Sequence, residues 1–328
     1  MLRSLLAAAA VAALILPGAT PAARSRAAVA NLTLEGRGLG HGIGLSQWGA
    51  EARARAGETA TQILSFYYPS TAIRRAASRP VRVLIDERPM RIRWAGAVTW
   101  VGGTRYPGVV RVVHDGNRVD VVDTVPLEAY VAGVVSSECP GNWPEAALEA
   151  QAIASRSYAL AALRPRRPFD VYADDRSQNF HGLLKHLPRA VAATQATAGR
   201  VLTYRGRVVS ALFSASNGGL TSVPDGVWGS PAMPWFRVAA DPFDRSGPDA
   251  HWGPVRIPLA AIREAFPRVP AVVTSVTDTR NTGARVVALT FTGADGTRAV
   301  VSGYAFQQRF GLRSTFFTFS VGTAGPTD

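Results

Sequence analysis

The stretch VVSSECPGNWPEAALEAQAIASRSYALAAL, which starts at Val134, holds the single cysteine of the chain, Cys139, and beside it one acid, Glu138. A thiolate would be a nucleophile, and a carboxyl held uncharged would be a general acid. Glu138 follows Val134 by four residues and Val131 by seven, so on a helix the three share one face and the carboxyl points with the apolar stripe. It also falls at the predicted helix C-terminus, where the dipole disfavours an anion. Both effects favour the protonated form. The alternative is a Glu138 that caps the helix or pairs with an arginine such as Arg156. For Cys139 the same helix end raises the thiol pKa, which predicts packing rather than reactivity.

Further polar candidates lie on either side. Gln151 and Tyr158 are seven apart on the next predicted helix and share a face, and Arg156 lies between them. The segment GHGIGLSQWG places His41, Ser46 and Gln47 among glycines. Its spacing is not that of a nucleophile elbow, and it is too short for a dinucleotide fingerprint. The SASNGG turn carries Ser214, Ser216 and Asn217, which offer hydroxyl and amide donors on a glycine-bearing turn. Asp175 and Gln178 are weaker candidates, and Trp228, Trp235 and Trp252 sit in a long loop where they either stack on a ligand or pack onto the core.

The elements that position these groups follow from pattern. A short strand near residue 31 runs into the glycine-rich turn, then a helix from about Ser46 and another from Thr61 to Tyr68, stopped by Pro69. From Val81 to Val122 apolar and polar residues alternate between turn signals, which predicts short antiparallel strands. Thr124 is a candidate cap for a helix with Pro126 in its first turn, ended at Cys139-Pro140-Gly141. Helices follow from Trp143–Glu145 to about Leu163 and from Leu187 to Thr197, then two strands joined at Arg205-Gly206. After a loop over residues 217 to 254 come a helix at Leu259–Phe266, strands at Arg285–Thr292 and Arg298–Val301, a helix at Tyr304–Phe310 and a strand ending at Val321. No repeat or long linker appears. The pattern predicts one α+β domain over residues 31–322, with two lobes flanking a cleft as one possible arrangement, and a disordered tail over 323–328.

Hydrophobic residues make up 47% of the 328 residues and charged ones 18%, which excludes a disordered chain. The net charge of +13 is carried almost wholly by arginine, Lys185 being the single lysine. The arginines form no long basic run, so nucleic acid is not the expected partner, whereas weak attraction to an anionic polymer is compatible with the charge. Arg3, the apolar Leu5–Leu16 and the small residues after it read as an export signal within residues 1–30. Twelve apolar residues are too few for a comfortable membrane span, so no stable transmembrane anchor is expected. One cysteine allows no internal disulfide.

The segment VPLEAYVAGVVSSECPGNWPEAALEAQAIASRSYALAAL resembles the signature of the SpoIID/LytB family of cell-wall enzymes. ATAGRVLTYRGRVVSALFSASNGGLT, GVWGSPAMPWFRVAADPFD and GRGLGHGIGLSQWGAEARARAG agree with it, so the resemblance runs from about Leu32 to Val321. It implies an exported lytic transglycosylase, related to sporulation proteins, that acts on peptidoglycan glycan strands in the cell envelope and needs no cofactor. The family's catalytic glutamate falls on Glu138. If the substrate is the glycan that the resemblance implies, His41, Gln47, Gln151, Arg156, Tyr158, Ser216 and Asn217 are the candidates for binding it from their types and positions, with a structural role as the alternative for His41, Gln47, Gln151, Arg156 and Tyr158. The competing implications are a non-catalytic glycan binder that stimulates a partner amidase, and a structural envelope protein.

Two departures stand out. The glycine-rich motif usually follows the strand resembling LRSTFFT; here it comes first. This resembles a circular permutation, which predicts that NLTLEGRG and TFFTFSVG are neighbouring strands. Some relatives bind zinc through His and Cys near the position of DDRSQNFHG; this chain has His181 and His186 there but no nearby cysteine, so no bound zinc is expected.

Overall fold

The computed structural model describes residues 28–323 apart from 89–91, 96–97, 117, 184–186 and 229. The expected export segment up to residue 27, the tail from residue 324 and His186 lie outside these residues. The helices are α1 (Gln47–Arg55), α2 (Ala60–Tyr67), α3 (Leu127–Glu138), α4 (Glu145–Ala161), α5 (Pro188–Ala196), α6 (Pro224–Trp228), α7 (Leu259–Ala265) and α8 (Gly303–Phe310). They are interleaved with short, largely antiparallel sheets, giving the mixed α+β class expected. Among the described residues no helix is long and apolar enough to cross a membrane.

Three apolar clusters hold these elements together. In the first, α3 lays Leu127, Tyr130, Val131, Val134 and Val135 against Val81, Val83, Val121 and Val125 of a four-stranded sheet. Each is essentially free of solvent, and burying one such side chain contributes about 1.5–3 kcal/mol. The face carrying this burial is the one that ends at Glu138. In the second, α2 and the glycine-rich segment pack Ile43, Leu45, Ile63 and Leu64 on Ala150, Ile153 and Ala154 of α4. Because α4 also contributes Ala147, Leu148, Ala152 and Ala159 to the first cluster, it is buried between the two, and its run of alanines lets neighbours approach closely.

The third cluster joins residues far apart in the chain. Strand Val29–Gly36 lies between Trp252–Pro258 and Phe317–Thr323, antiparallel to both. Leu32 faces Val321 and Leu34 faces Phe319, so the two segments expected to be neighbours are directly paired. Leu32, Leu34, Phe291, Phe306 and Phe317 fill the space between this sheet and a second one, Val273–Arg280, Val286–Gly293 and Arg298–Ser302.

Two local expectations need correction. Thr124 does not cap α3: Pro126 occupies the cap position and makes no side-chain cap bond, while Thr124 remains in the strand Arg118–Val125. The segment Val273–Arg280, not expected as a strand, pairs along Val286–Gly293. Its TSVTDTR pattern buries few residues, so it carries little of the alternation that marks a strand.

Candidate active site

Glu138 is the last residue of α3 and is half-buried. Its Oε1 accepts a 2.8 Å hydrogen bond from the backbone N–H of Asn179, and its Oε2 accepts from Gln47 Nε2 at 3.3 Å. Burial pushes its pKa up; the Asn179 amide, Gln47, the Asn179 side chain and the charge of His181 pull it back only in part. The result is a carboxyl that keeps its proton more readily than an ordinary glutamic acid. Cys139, by contrast, is buried and its thiol pKa is driven far up by that burial and then by Glu138, which makes it packing.

Gln47 reaches Glu138 because α1 starts where it does. Ser46 caps α1 by accepting from the Gly49 N–H and donates its own hydroxyl to buried Asp244. Asp244 also takes the Ser216 hydroxyl at 2.7 Å and the Gly218 N–H at 2.7 Å. Asp241, equally buried, accepts from Arg53 at 3.0 Å, Tyr67 at 2.6 Å and Asn217 at 2.8 Å. These two aspartates tie the SASNGG turn to α1. Ser216 and Asn217 are therefore fully buried struts and do not face a ligand, contrary to the expectation for them.

A cleft of about 540 Å³ opens over Glu138. Gln47, Asn179, Asp175, His41 and Ser214 line it on the Glu138 side, and Tyr304, Gln307 and Gln308 of α8 with Arg313 line it from the third cluster. Trp228, 44% exposed, stands at the cleft and meets the His41 ring edge-on at 5.1 Å between centroids. His41 is held down to a pKa of about 3 by burial and by Arg285. Its Nδ1 accepts from the Ile43 N–H at 2.9 Å and its ring also bonds the Phe213 backbone, so it forms wall rather than a free proton carrier.

The structure brings Glu138, Gln47 and His41 to one cleft and leaves the α4 candidates outside it. Arg156 is fully buried and clamps Glu128 at 3.0 and 2.6 Å, with its remaining donors on the carbonyls of Arg200 and Thr194. That closes the possibility of an Arg156–Glu138 pair, and Glu128, not Glu138, is the arginine-bound acid. Gln151 is buried and donates to Ser155 at 3.1 Å. Tyr158 packs on the first cluster. Both fail as cleft residues because α4 is packed on two sides, so a shared helix face points into a core. Trp235 bonds the Ser210 carbonyl and Trp252 sits in the third cluster, leaving Trp228 as the loop tryptophan at the cleft.

Three contributors were not singled out in the sequence. Asn179 acts through its backbone N–H, which no residue type announces. The α8 wall and Arg313 come from a distant segment that reads as an ordinary amphipathic helix and its exit. Arg285 is a buried cation whose guanidinium fastens the carbonyls of Gly40 and Asn217, each at 3.2 Å. A side chain at Gly42, which has φ +69°, would overlap that guanidinium, and this is the physical reason for glycine there.

A mixed α+β protein with a proton-retaining glutamate at a helix end, set in a cleft shared between two packed clusters, is the class that fold and site define. Residues 115–204, which include α3, Glu138, α4 and Asn179, match the family model for SpoIID, stage II sporulation protein. Over that segment the chain is similar to the SpoIID family. It is 34% identical over 151 residues to stage II sporulation protein D of Bacillus amyloliquefaciens, covering 39% of this chain and 42% of that protein. The Bacillus subtilis (strain 168) protein of the same description is 33% identical over 147 residues, again 42% of its length. An amidase enhancer of Bacillus subtilis (strain 168) is 31% identical over 112 residues, 34% of this chain and 15% of that protein. The chain thus matches about two fifths of the sporulation proteins' length.

Proposed function

We propose that the protein is an exported lytic transglycosylase that cleaves the MurNAc–GlcNAc bond of peptidoglycan glycan strands and leaves 1,6-anhydro-MurNAc ends. The observation that carries this reading is Glu138: a half-buried carboxyl with a raised pKa, held by two donors in a cleft of about 540 Å³. Protonated Glu138 gives its proton to the glycosidic oxygen as the C1–O bond breaks, and the GlcNAc 4-hydroxyl leaves. The carboxylate so formed takes the proton of the MurNAc 6-hydroxyl while that oxygen bonds to C1. One carboxyl thus serves as acid and then base, no water is consumed, and Glu138 ends as it began. The Asn179 N–H and Gln47 amide stabilise the anion between the two steps. In ordinary glycosidases a second carboxyl acts across the bond; here the other carboxyl at the cleft, Asp175, is exposed. The direct pairing of Val29–Gly36 with Phe317–Thr323 supports reading the domain as circularly permuted, with the glycine-rich motif returned to its usual neighbourhood.

The test is the chemistry of the product end. Purified protein is incubated with intact and with peptide-stripped glycan strands, and the released fragments are weighed. Anhydro ends, lighter than reducing ends by one water, are expected. Reducing ends would make the protein a hydrolase. Tight binding without release would favour a role like that named for the amidase enhancer, stimulation of a partner amidase.

A further inference from the structure

Asp175, Ser177 and Asn179 line the cleft, whereas Gln178 and Phe180 are buried. The segment thus shows one side to the cleft and turns the other into the protein. Phe180 packs on Tyr130 at 5.1 Å between ring centroids, and its N–H donates to the Ala173 carbonyl at 3.0 Å. Gln178, 1% exposed, sends its side chain between α3 and α4, where Nε2 donates to the Tyr130 hydroxyl and to the Ser155 carbonyl, each at 3.4 Å. Tyr130 belongs to α3, the helix that ends at Glu138.

The N–H that reaches Glu138 at 2.8 Å belongs to the peptide unit joining Gln178 to Asn179. A peptide unit is planar, so its donor points where the backbone torsions on either side send it. Beyond it Phe180 is fastened by ring and backbone. Before it Ser177 donates its N–H to the Asp174 carbonyl, and its hydroxyl accepts from the Tyr172 N–H. Between these two points the Gln178 side chain is the attachment nearest the donor peptide. As a stabilising device this amide is poor. Both its bonds are long, and its Oε1 has no donor among the described residues. A methionine of similar length would fill the space without a polar atom to satisfy, so packing alone does not account for glutamine here.

We propose that Gln178 is a positioning residue, whose buried amide, tied to both α3 and α4, aims the following N–H at the Glu138 carboxyl. Its catalytic meaning rests on the transglycosylase reading of Glu138; its hold on the N–H does not. A donor fixed in advance on a carboxylate stabilises the anion and costs no reorganisation when the proton leaves. Gln178 lies behind the cleft wall and acts on the reaction through this peptide alone.

The experiment follows the Asn179 amide of the full chain by NMR across pH, since its proton shifts as Glu138 ionises, and measures release of anhydro ends in parallel. Glu138→Gln, which abolishes the titration, identifies its source. Gln178→Met is compared with Gln151→Met, an equally buried glutamine that donates to the Ser155 hydroxyl instead. Gln47 and the charge of His181, which also act on Glu138, stay in place in both. In Gln178→Met the midpoint is expected to rise by about one pH unit, because a bond to the charged form is loosened. The fall of rate with rising pH should move up with it, kcat should drop about tenfold, and KM should stay within about twofold. Tm should stay within about 4 °C, as for a volume-conserving swap. Gln151→Met should leave the midpoint and kcat unchanged. An unmoved midpoint in Gln178→Met, or an equal rise in Gln151→Met, would overturn the proposal. If Gln178→Met does not fold, Tyr130→Phe decides, because it removes one acceptor of Gln178 and keeps the ring. A rise about half as large is then expected, and no rise refutes the assignment. A parent that releases no anhydro ends while the midpoint moves as expected would refute the transglycosylase reading and uphold Gln178 as the residue that aims the amide.

Discussion

Replacing Glu138 by glutamine and by alanine separates its chemistry from its place in the architecture. Glutamine has nearly the same shape and can keep both hydrogen bonds: its carbonyl accepts the Asn179 N–H, and its amide donates to Gln47 once the Gln47 amide turns over. It cannot give or take the reacting proton. General acid–base assistance is worth about 10²–10⁴-fold, and Glu138 is asked to supply it twice, so release of anhydro ends should fall at least about 10³-fold. Stability should move the other way. The folded protein holds the Glu138 proton more firmly than the unfolded chain does, so ionising it costs stability as pH rises. Glu138→Gln removes that cost, so the variant should be at least as stable as the parent at pH 8. Glu138→Ala is equally inactive but strands two donors, at about 1–3 kcal/mol in all. Product analysis by mass spectrometry, with urea denaturation at pH 8, reads both effects. A glutamine variant that keeps more than about a tenth of the activity would remove Glu138 from the mechanism. One that unfolds as easily as the alanine variant would refute the account of its hydrogen bonds.

Asp123 is fully buried without a well-aligned donor, and burial raises its pKa from 3.8 to about 6, the Gly108 amide offsetting this in part. The folded state therefore binds its proton more tightly, and this residue's contribution falls as pH rises from about 4 to about 6; Asp123→Asn should gain about 2 kcal/mol over the parent at pH 8 and little at pH 4, by urea denaturation at both. Arg156→Ala empties a fully buried side-chain site and removes four hydrogen-bonding contacts, although its partner Glu128 is part-exposed, and should cost about 2–5 kcal/mol in the same assay. Trp228→Ala at the cleft edge should raise KM for glycan strands about five- to thirtyfold, because about 1–2 kcal/mol of apolar packing on the sugar is removed, with kcat nearly unchanged. Asp175→Asn should leave the rate within about threefold; a loss like that of Glu138→Gln would show a two-carboxyl mechanism instead.

The helical spacing of Val131, Val134 and Glu138 was enough to place the acid on a buried face at a helix end, and that is where it lies. The same reasoning failed one helix later. Gln151, Arg156 and Tyr158 look like a polar face on an alanine-rich helix, but a helix packed on two sides has no free face, and the second packing partner comes from residues 43–68, about 100 positions earlier. Ser216 and Asn217 failed for a related reason. Their polar groups are spent on Asp241 and Asp244, and nothing in the SASNGG turn reveals that two acids 24 to 28 residues downstream will fold over it. The Asn179 amide and the α8 wall depend on where the backbone and a distant chain segment arrive in space, which local pattern does not encode.

The placement of Val29–Gly36 between two strands from the other end of the sequence sets an order on how the molecule can be made. A ribosome delivers that strand early, yet its partner at Phe317–Thr323 emerges about 280 residues later. Until Trp252–Pro258 emerges the early strand has both edges open, and until Phe317–Thr323 follows it still has one, and loops that long close slowly. The third cluster can therefore close only after the last strand has left the ribosome.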